Sequence, residues 1–178
     1  MERDIDDFYK YYTLKLIKYK SGTKNTTPVD VPAEPTTVTA EPTNSKVIVN
    51  GKVLSFDAYN IDNNNYFKLR DLASVVNNSE KQFEVKWDNK NAINLISNTA
   101  YTTVGGELSK GNGKSKTGNL NTSKIYKDSI EVQLSAYNIN NNNYFKLRDV
   151  AKIFNIGITW DSETSTVGID TSIGYVEP

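Results

Sequence analysis

The sequence predicts an α+β fold, because one small unit of short strands and a single helix is encoded twice. Residues 58–73 return as residues 136–151 with only two substitutions. The offset of 136 − 58 = 78 residues is longer than a solenoid turn and suits a small domain. In each copy, alternating apolar stretches flank one stretch with helical periodicity. We therefore expect two tandem repeats, each a small curled antiparallel sheet packed on one short helix.

The composition of the chain excludes several kinds of site. Its 178 residues include 21 Lys and Arg against 21 Asp and Glu, and neither histidine nor cysteine. Zero net charge argues against a nucleic-acid partner, since such proteins usually carry a basic excess. Without histidine and cysteine there is no thiol or imidazole nucleophile and no zinc or copper site. No apolar run reaches the roughly 18 residues of a membrane span. We expect no cofactor, no metal and no membrane span.

An amphipathic helix and a linker are predicted ahead of the repeats. Six apolar residues recur at helical spacing: Ile5, Phe8, Tyr9, Tyr12, Leu16 and Tyr19. Residues 1–19 are therefore expected to be the tail of an upstream domain or a helix that forms a homo-oligomer. Residues 20–45 hold four of the five prolines and are predicted to be an extended Thr/Pro linker. The polar, acidic start at Met1 is unlike a signal peptide, which fits a fragment or a phage protein released by another route.

The first repeat is predicted at residues 46–104. Asn50-Gly51 is a favoured two-residue hairpin turn, because both positions tolerate positive φ. The alternation of Phe83, Val85 and Trp87 predicts a half-buried strand. The tryptophan is therefore expected to pack in the core, in preference to the alternative that it forms part of a sugar-binding surface.

A flexible connection is predicted at residues 105–123, which are rich in Gly, Ser, Asn and Lys. The second repeat, residues 124–178, follows with the same order of elements. Trp160 takes the place of Trp87 in its half-buried strand and has the same expected structural role. Three lysines of the connection either contact anionic polymers or are simply solvated: Lys110, Lys114 and Lys116.

Several motifs of the repeat resemble a known family. These motifs are Asn60, Tyr66-Phe-Lys-Leu-Arg-Asp71 and Trp87-Asp88, each with a counterpart in the second repeat. Over residues 46–178 the pattern resembles the copper amine oxidase N-terminal domain-like family, also called stalk domains. The resemblance implies a small antiparallel sheet wrapped round a helix. It also implies an accessory role in the envelope of Gram-positive, especially clostridial, bacteria, often beside a wall hydrolase. It implies no copper, which this chain has no histidine to bind.

Aromatic and amide side chains of the repeats are candidate ligand contacts. Tyrosine rings stack on the apolar face of a sugar, and amides bond its hydroxyl groups. The candidate ligand-binding residues are Tyr59, Asn60, Tyr66, Tyr137, Asn138 and Tyr144. Two similar sites on one chain would hold a repeating polymer by avidity.

Two Arg-Asp pairs are interpreted as structural. Arg70-Asp71 and Arg148-Asp149 lie at the predicted helix starts, where adjacent side chains do not face each other. We expect a salt bridge there, or an arginine that braces the sheet, rather than catalysis. The asparagine runs 63–65 and 140–143 fit tight turns better than calcium loops, since the glycine and glutamate of such loops are missing.

These observations favour a non-catalytic binding module of the bacterial cell envelope. The predicted partner is a cell-wall polymer, peptidoglycan or teichoic acid, and the predicted location is the extracellular wall of a Gram-positive bacterium. The chain would then be the wall-binding part of a peptidoglycan hydrolase or phage lysin. The alternative is a structural or protein-interaction module that oligomerises through residues 3–19. An enzyme is a third hypothesis, but the sequence contains no recognisable triad, metal cluster or phosphate loop.

Overall fold

Tight turns divide the chain into short strands. The computed structural model describes residues 36–88 and 92–177, so the helix and the linker residues predicted within 1–35 lie outside the described part. At Asn50-Gly51, φ is 47° and 80°, the type I′ geometry that joins two strands with their natural twist. Pairs of positive φ angles recur at Asp62-Asn63, Asp128-Ser129 and Asn140-Asn141. Asparagine and aspartate tolerate this conformation, so the predicted turn chemistry is confirmed.

The two halves of the described chain contain the same elements in the same order. The first half contains β1 (Thr37–Pro42), β2 (Lys46–Val49), β3 (Lys52–Leu54), β4 (Ala58–Ile61), β5 (Asn64–Lys68), α1 (Leu69–Val75), β6 (Phe83–Trp87) and β7 (Ile93–Ser97). The second half contains β8 (Lys116–Leu120), β9 (Ile125–Lys127), β10 (Ile130–Val132), β11 (Ala136–Ile139), β12 (Asn142–Lys146), α2 (Leu147–Phe154), β13 (Gly157–Asp161) and β14 (Thr166–Asp170). This mixture of sheet and short helices confirms the predicted α+β class.

Six strands, three from each half, close into a small barrel. Their order is β1-β4-β5-β12-β11-β8. Replacing each strand by its counterpart in the other half gives the same order in reverse, so the barrel has approximate twofold symmetry in its strand order. One buried face of these strands forms a tyrosine-rich cluster: Ala40, Tyr59, Ile61, Tyr66, Tyr137, Ile139 and Tyr144. The other face joins the larger core, which includes both helices, through Ala58, Phe67, Ala136 and Phe145. Because side chains alternate along a strand, β4, β5, β11 and β12 bury residues on both faces, whereas β1 and β8 each expose one face.

The first hairpin of each half pairs with strands of the other half. Strands β2 and β3 join β13 and β14 in one four-stranded sheet, while β9 and β10 join β6 and β7 in another. The exchanged strands run parallel to their neighbours, with Val47 opposite Val167 and Ile93 opposite Ile125. The prediction that each repeat forms its own antiparallel sheet is therefore wrong. The repeat offset aligns Val47 with Ile125 but Val49 with Lys127, so the two hairpins share only part of their apolar pattern.

Two barrel strands occupy stretches that the sequence analysis assigned to connections. Residues 37–42 were expected to belong to the linker and 116–120 to the flexible connection, but they form β1 and β8, which pair antiparallel. Ala40 is completely buried within the tyrosine-rich cluster. Threonine and valine are good strand formers, and the one proline of this strand, Pro42, is its last residue. High Thr and Pro content was therefore a misleading signal for these residues.

A partly buried carboxylate links the barrel to the loop before β4. Asp57 accepts a hydrogen bond from the Tyr144 hydroxyl at 2.8 Å and lies 3.2 Å from the Lys68 ammonium group. Tyr144 is 1% exposed, and burial together with the neighbouring Asp57 raises the pKa of its hydroxyl. The tyrosine therefore remains a neutral donor to the carboxylate.

Tyr144→Phe is expected to lower the free energy of unfolding by roughly 1.5–3 kcal/mol, the usual loss for a hydrogen bond to a charged group. The ring keeps its packing, so the loss reports the bond from the hydroxyl to Asp57. Urea unfolding at pH 7 measures it. Tyr175→Phe is the matched control, because the Tyr175 hydroxyl donates to Glu177 at the exposed surface. A loss no larger than that of the control contradicts the role assigned to Tyr144.

Candidate ligand-binding grooves

The four tyrosines proposed as ligand contacts lie inside the protein. Tyr59, Tyr66, Tyr137 and Tyr144 are at most 5% exposed. They pack edge to face across the two halves, with ring centroids 5.2 Å apart for Tyr59 and Tyr144 and 5.6 Å for Tyr66 and Tyr137. A ring buried in this way has no face for a sugar, so the predicted role is corrected to packing.

The two tryptophans, unlike the tyrosines, are more exposed than predicted. They were expected in the core, but Trp87 is 43% exposed and Trp160 is 48% exposed. Trp87 is the last residue of β6, and its face of the strand continues past the buried Phe83 and Val85 into solvent. An alternating pattern identifies the face of a strand but not where the core stops along it. Each indole therefore presents aromatic surface to a possible ligand.

A groove opens beside Trp87, and we call it the first groove. It has a volume of about 270 Å³, near the lower end of the range for small-molecule sites. Its polar lining comes from three places: the start of α1, the turn before β12 and the loop at 105–107. The residues that concern its chemistry are Lys68, Arg70, Asp71, Glu107 and Asn141–Asn143.

A second groove opens beside Trp160 with a volume of about 350 Å³. The residues that concern its chemistry are Asn60, Asn63–Asn65, Lys146, Arg148 and Thr159. Asn60 is thus the one predicted ligand contact that lines a groove. Its counterpart Asn138 instead donates a hydrogen bond to the side chain of Asn143 at 3.2 Å.

The two grooves are built from equivalent residues. The repeat offset converts the turn 63–65 into 141–143, Lys68 into Lys146 (68 + 78) and Arg70 into Arg148 (70 + 78). Each groove takes its asparagine turn from one half and its tryptophan, lysine and arginine from the other. Neither half of the chain contains a complete groove.

Neither groove arginine forms a salt bridge within the described residues. A salt bridge was one of the two structural roles expected for these arginines, and bracing the sheet was the other. Within residues 36–88 and 92–177, neither Arg70 nor Arg148 forms an ion pair or hydrogen bond, and both line grooves. The aspartates beside them do have structural contacts. Asp71 accepts the backbone N–H of Leu108 at 3.0 Å, and Asp149 accepts that of Ser135 at 3.0 Å. The arginines are therefore groove residues, whereas the aspartates brace backbone.

A loop anchored by two glutamates closes one side of the first groove. Residues 101–104 have no regular secondary structure, and the Tyr101 ring is buried. Buried Glu84 accepts the backbone N–H of Thr102 at 3.1 Å. Glu107 accepts the Tyr101 hydroxyl at 2.7 Å and the backbone N–H groups of Val104 and Gly105 at 2.9 and 3.0 Å. The Tyr101 hydroxyl and these backbone donors lower the pKa of Glu107 to about 2.

Glu107→Gln is expected to destabilise the protein at neutral pH by about 2 kcal/mol, since it replaces a carboxylate that accepts three hydrogen bonds. The folded pKa lies below the ordinary value of 4.5, so ionised Glu107 contributes its full stability above pH 4.5. That contribution is lost as the pH falls towards 2. The difference in unfolding free energy between wild type and variant should therefore shrink between pH 4.5 and 2. Urea unfolding across this range is the measurement, and a difference independent of pH would contradict the assigned contacts.

The described residues have two further properties that bear on function. They include no helix long and apolar enough to cross a membrane. They also contain no group of three or more carboxylate, histidine or cysteine side chains placed to hold a metal ion.

Comparisons with protein-family models, with curated proteins and with solved structures found no match to this chain. The resemblance to stalk domains therefore remains a prediction. The case for function has to come from the grooves themselves.

Both groove tryptophans were named from the sequence, but a core position was favoured for them, and no role was assigned to Lys68, Lys146 or Glu107. Trp87 and Trp160 were noted as equivalent and were assigned to the core. The available signal was their position: each is followed by an aspartate, and Asp161 accepts backbone N–H bonds from Glu163 and Thr164 in a turn. A tryptophan next to such a turn stands at the end of a strand, where burial decreases.

Proposed function

We propose that this protein is a non-catalytic module that binds a polymer of the Gram-positive cell wall, outside the cell. The observation that carries this proposal is the pair of equivalent grooves. Each combines an exposed indole, an asparagine-rich turn and an arginine that has no salt bridge within the described residues. The indole offers a stacking face for a sugar ring, while the amides and the guanidinium bond hydroxyl and acidic groups.

Two shallow grooves suit a repeating ligand better than a small free molecule. Volumes of about 270 and 350 Å³ leave little room to enclose a ligand, so each groove alone would bind weakly. A polymer that occupies both grooves gains avidity, of roughly 10²-fold or more, without any tight single site. The duplicated repeat is the simplest way to produce two such grooves on one chain. We therefore propose the duplicated stalk-like unit as the source of the bivalency.

Co-sedimentation with purified Gram-positive cell walls tests the proposal. The full chain is mixed with native walls and with walls from which teichoic acids have been removed. Sedimentation with both preparations would indicate peptidoglycan, and sedimentation with native walls alone would indicate teichoic acid. A chain that stays in the supernatant with both preparations would refute wall binding.

A further inference from the structure

One substitution between the repeats changes the electrostatics of the grooves. Asp57 forms an ion pair with Lys68 at 3.2 Å beside the first groove. The repeat offset places Ser135 at the equivalent position (57 + 78), so the second half has no carboxylate there. Lys146, the counterpart of Lys68, forms no ion pair with any residue in 36–88 or 92–177.

A second difference, in the carboxylates that line the two grooves, also makes the second groove more positive than the first. The carboxylates of Asp71 and Glu107 line the first groove beside Lys68 and Arg70. Glu107 belongs to the loop between the two halves. Glu177, which accepts a hydrogen bond from the Tyr175 hydroxyl as Glu107 does from that of Tyr101, is not part of the described lining of the second groove. The described lining of the second groove contains Lys146 and Arg148 but no carboxylate. The first groove is therefore close to neutral, whereas the second carries two positive charges.

We infer that the second groove is the subsite for an acidic group of the bound polymer, a carboxylate or a phosphodiester, and that the first groove takes an uncharged part of it. This inference rests on the proposed function. The Arg148 guanidinium presents a planar set of donors that matches two anionic oxygens, and Lys146 adds a second positive charge. Both side chains are partly buried, which strengthens their attraction for an anion relative to free solution. Trp160 then stacks on the sugar or polyol beside the acidic group.

Exchanging the residues that distinguish the grooves tests the inference. Ser135→Asp supplies Lys146 with the carboxylate that Lys68 already has, and Arg148→Gln removes the guanidinium while keeping an amide. Each is expected to weaken binding of the full chain to native walls about tenfold and to reduce its dependence on salt. Arg70→Gln is the matched variant in the first groove. It removes a ligand contact whose charge is offset by the carboxylates of Asp71 and Glu107 in the same lining, so it is expected to weaken binding less than Arg148→Gln, by up to about threefold. Lys52→Gln, on an exposed hairpin strand outside both grooves, controls for a general loss of positive charge.

Chemically treated walls identify the acidic group. Walls with their carboxyl groups reduced and walls stripped of phosphodiester polymers are compared with untreated walls. The inference is supported if one treatment lowers the affinity of wild type and also removes the difference in affinity between wild type and Arg148→Gln. The group removed by that treatment is then the acidic group bound in the second groove. Equal effects of Arg70→Gln and Arg148→Gln, or unchanged affinity for both treated walls, would overturn it.

The same measurements separate this inference from the proposed function. If Trp160→Ala weakens wall binding but Arg148→Gln and Ser135→Asp do not, the groove binds the polymer without reading its charge. In that case only the charge-specific inference fails. If neither tryptophan variant changes sedimentation with walls, the proposed function fails as well.

Discussion

Replacing both Trp87 and Trp160 by alanine is expected to abolish sedimentation with cell walls. A single replacement is expected to weaken binding roughly 10²-fold, because the polymer then engages one groove and the avidity gain is lost. Tryptophan is the residue type whose truncation most often removes the bulk of an interaction, through its large rigid apolar face. Titrating a fixed amount of wall with wild type, each single variant and the double variant measures these differences.

The fold should tolerate these substitutions, which makes the test clean. About half of each indole is exposed, at 43% and 48%, so truncation opens no enclosed cavity. Ile130→Ala is a suitable control, because Ile130 is 71% exposed on β10, away from both grooves. Its affinity for walls should match wild type. Wild-type affinity in the double tryptophan variant, with an unchanged unfolding midpoint, would remove the grooves from the mechanism.

Local features of the fold were accessible from the sequence because their causes are local. A type I′ turn needs two residues that tolerate positive φ. Asn50-Gly51 is such a pair, so the turn can be predicted from these two residues alone. The start of α1 at Leu69 and the hairpins around it follow from apolar spacing over a few residues. The α+β class follows from the order of these elements.

The pairing of distant strands was not accessible. The hairpins β2–β3 and β9–β10 each contain apolar residues that must be covered, but a local pattern does not specify which half of the chain covers them. The structure places Val47 beside Val167, a separation of 167 − 47 = 120 residues, in a parallel pairing that no local turn specifies. Only the combined packing of all strands decides between a hairpin that joins its own half and one that joins the other half.

The burial of the aromatic residues was wrongly predicted for a related reason. Tyr66 and Trp87 both have an aromatic ring that is suited to stacking on a sugar. Their burial differs because barrel closure places Tyr66 against Tyr137 of the other half, while β6 extends Trp87 beyond the core. Exposure of an aromatic side chain is a property of the assembled halves and is not encoded in the neighbouring sequence.

Dividing the chain between Gly113 and Lys114 is expected to produce two fragments, 1–113 and 114–178, neither of which is a folded monomer. Every sheet of the described structure contains strands from both fragments. Separation breaks the pairings of β1 with β8, β5 with β12, β2 with β14 and β7 with β9. It also exposes rings that pack across the division, including the stacked pair Phe83 and Phe154 with centroids 4.0 Å apart. Strands without their partners cannot retain a core of their own.

Mixing the two fragments in equal amounts is expected to restore the native fold as a one-to-one complex, because the division falls in a loop that belongs to no strand. Circular dichroism and NMR peak dispersion report folding, and sedimentation equilibrium gives the stoichiometry. Intact protein carrying a protease site in the same loop is the control: after cleavage it should remain assembled until denaturant is added. A monomeric fragment 114–178 with native-like peak dispersion would contradict the exchange of hairpins, since it would show that one repeat completes its own sheet. Recovery of wall binding only in the mixture would further show that each groove needs both halves, as the shared lining by Asn141–Asn143 and Trp87 requires.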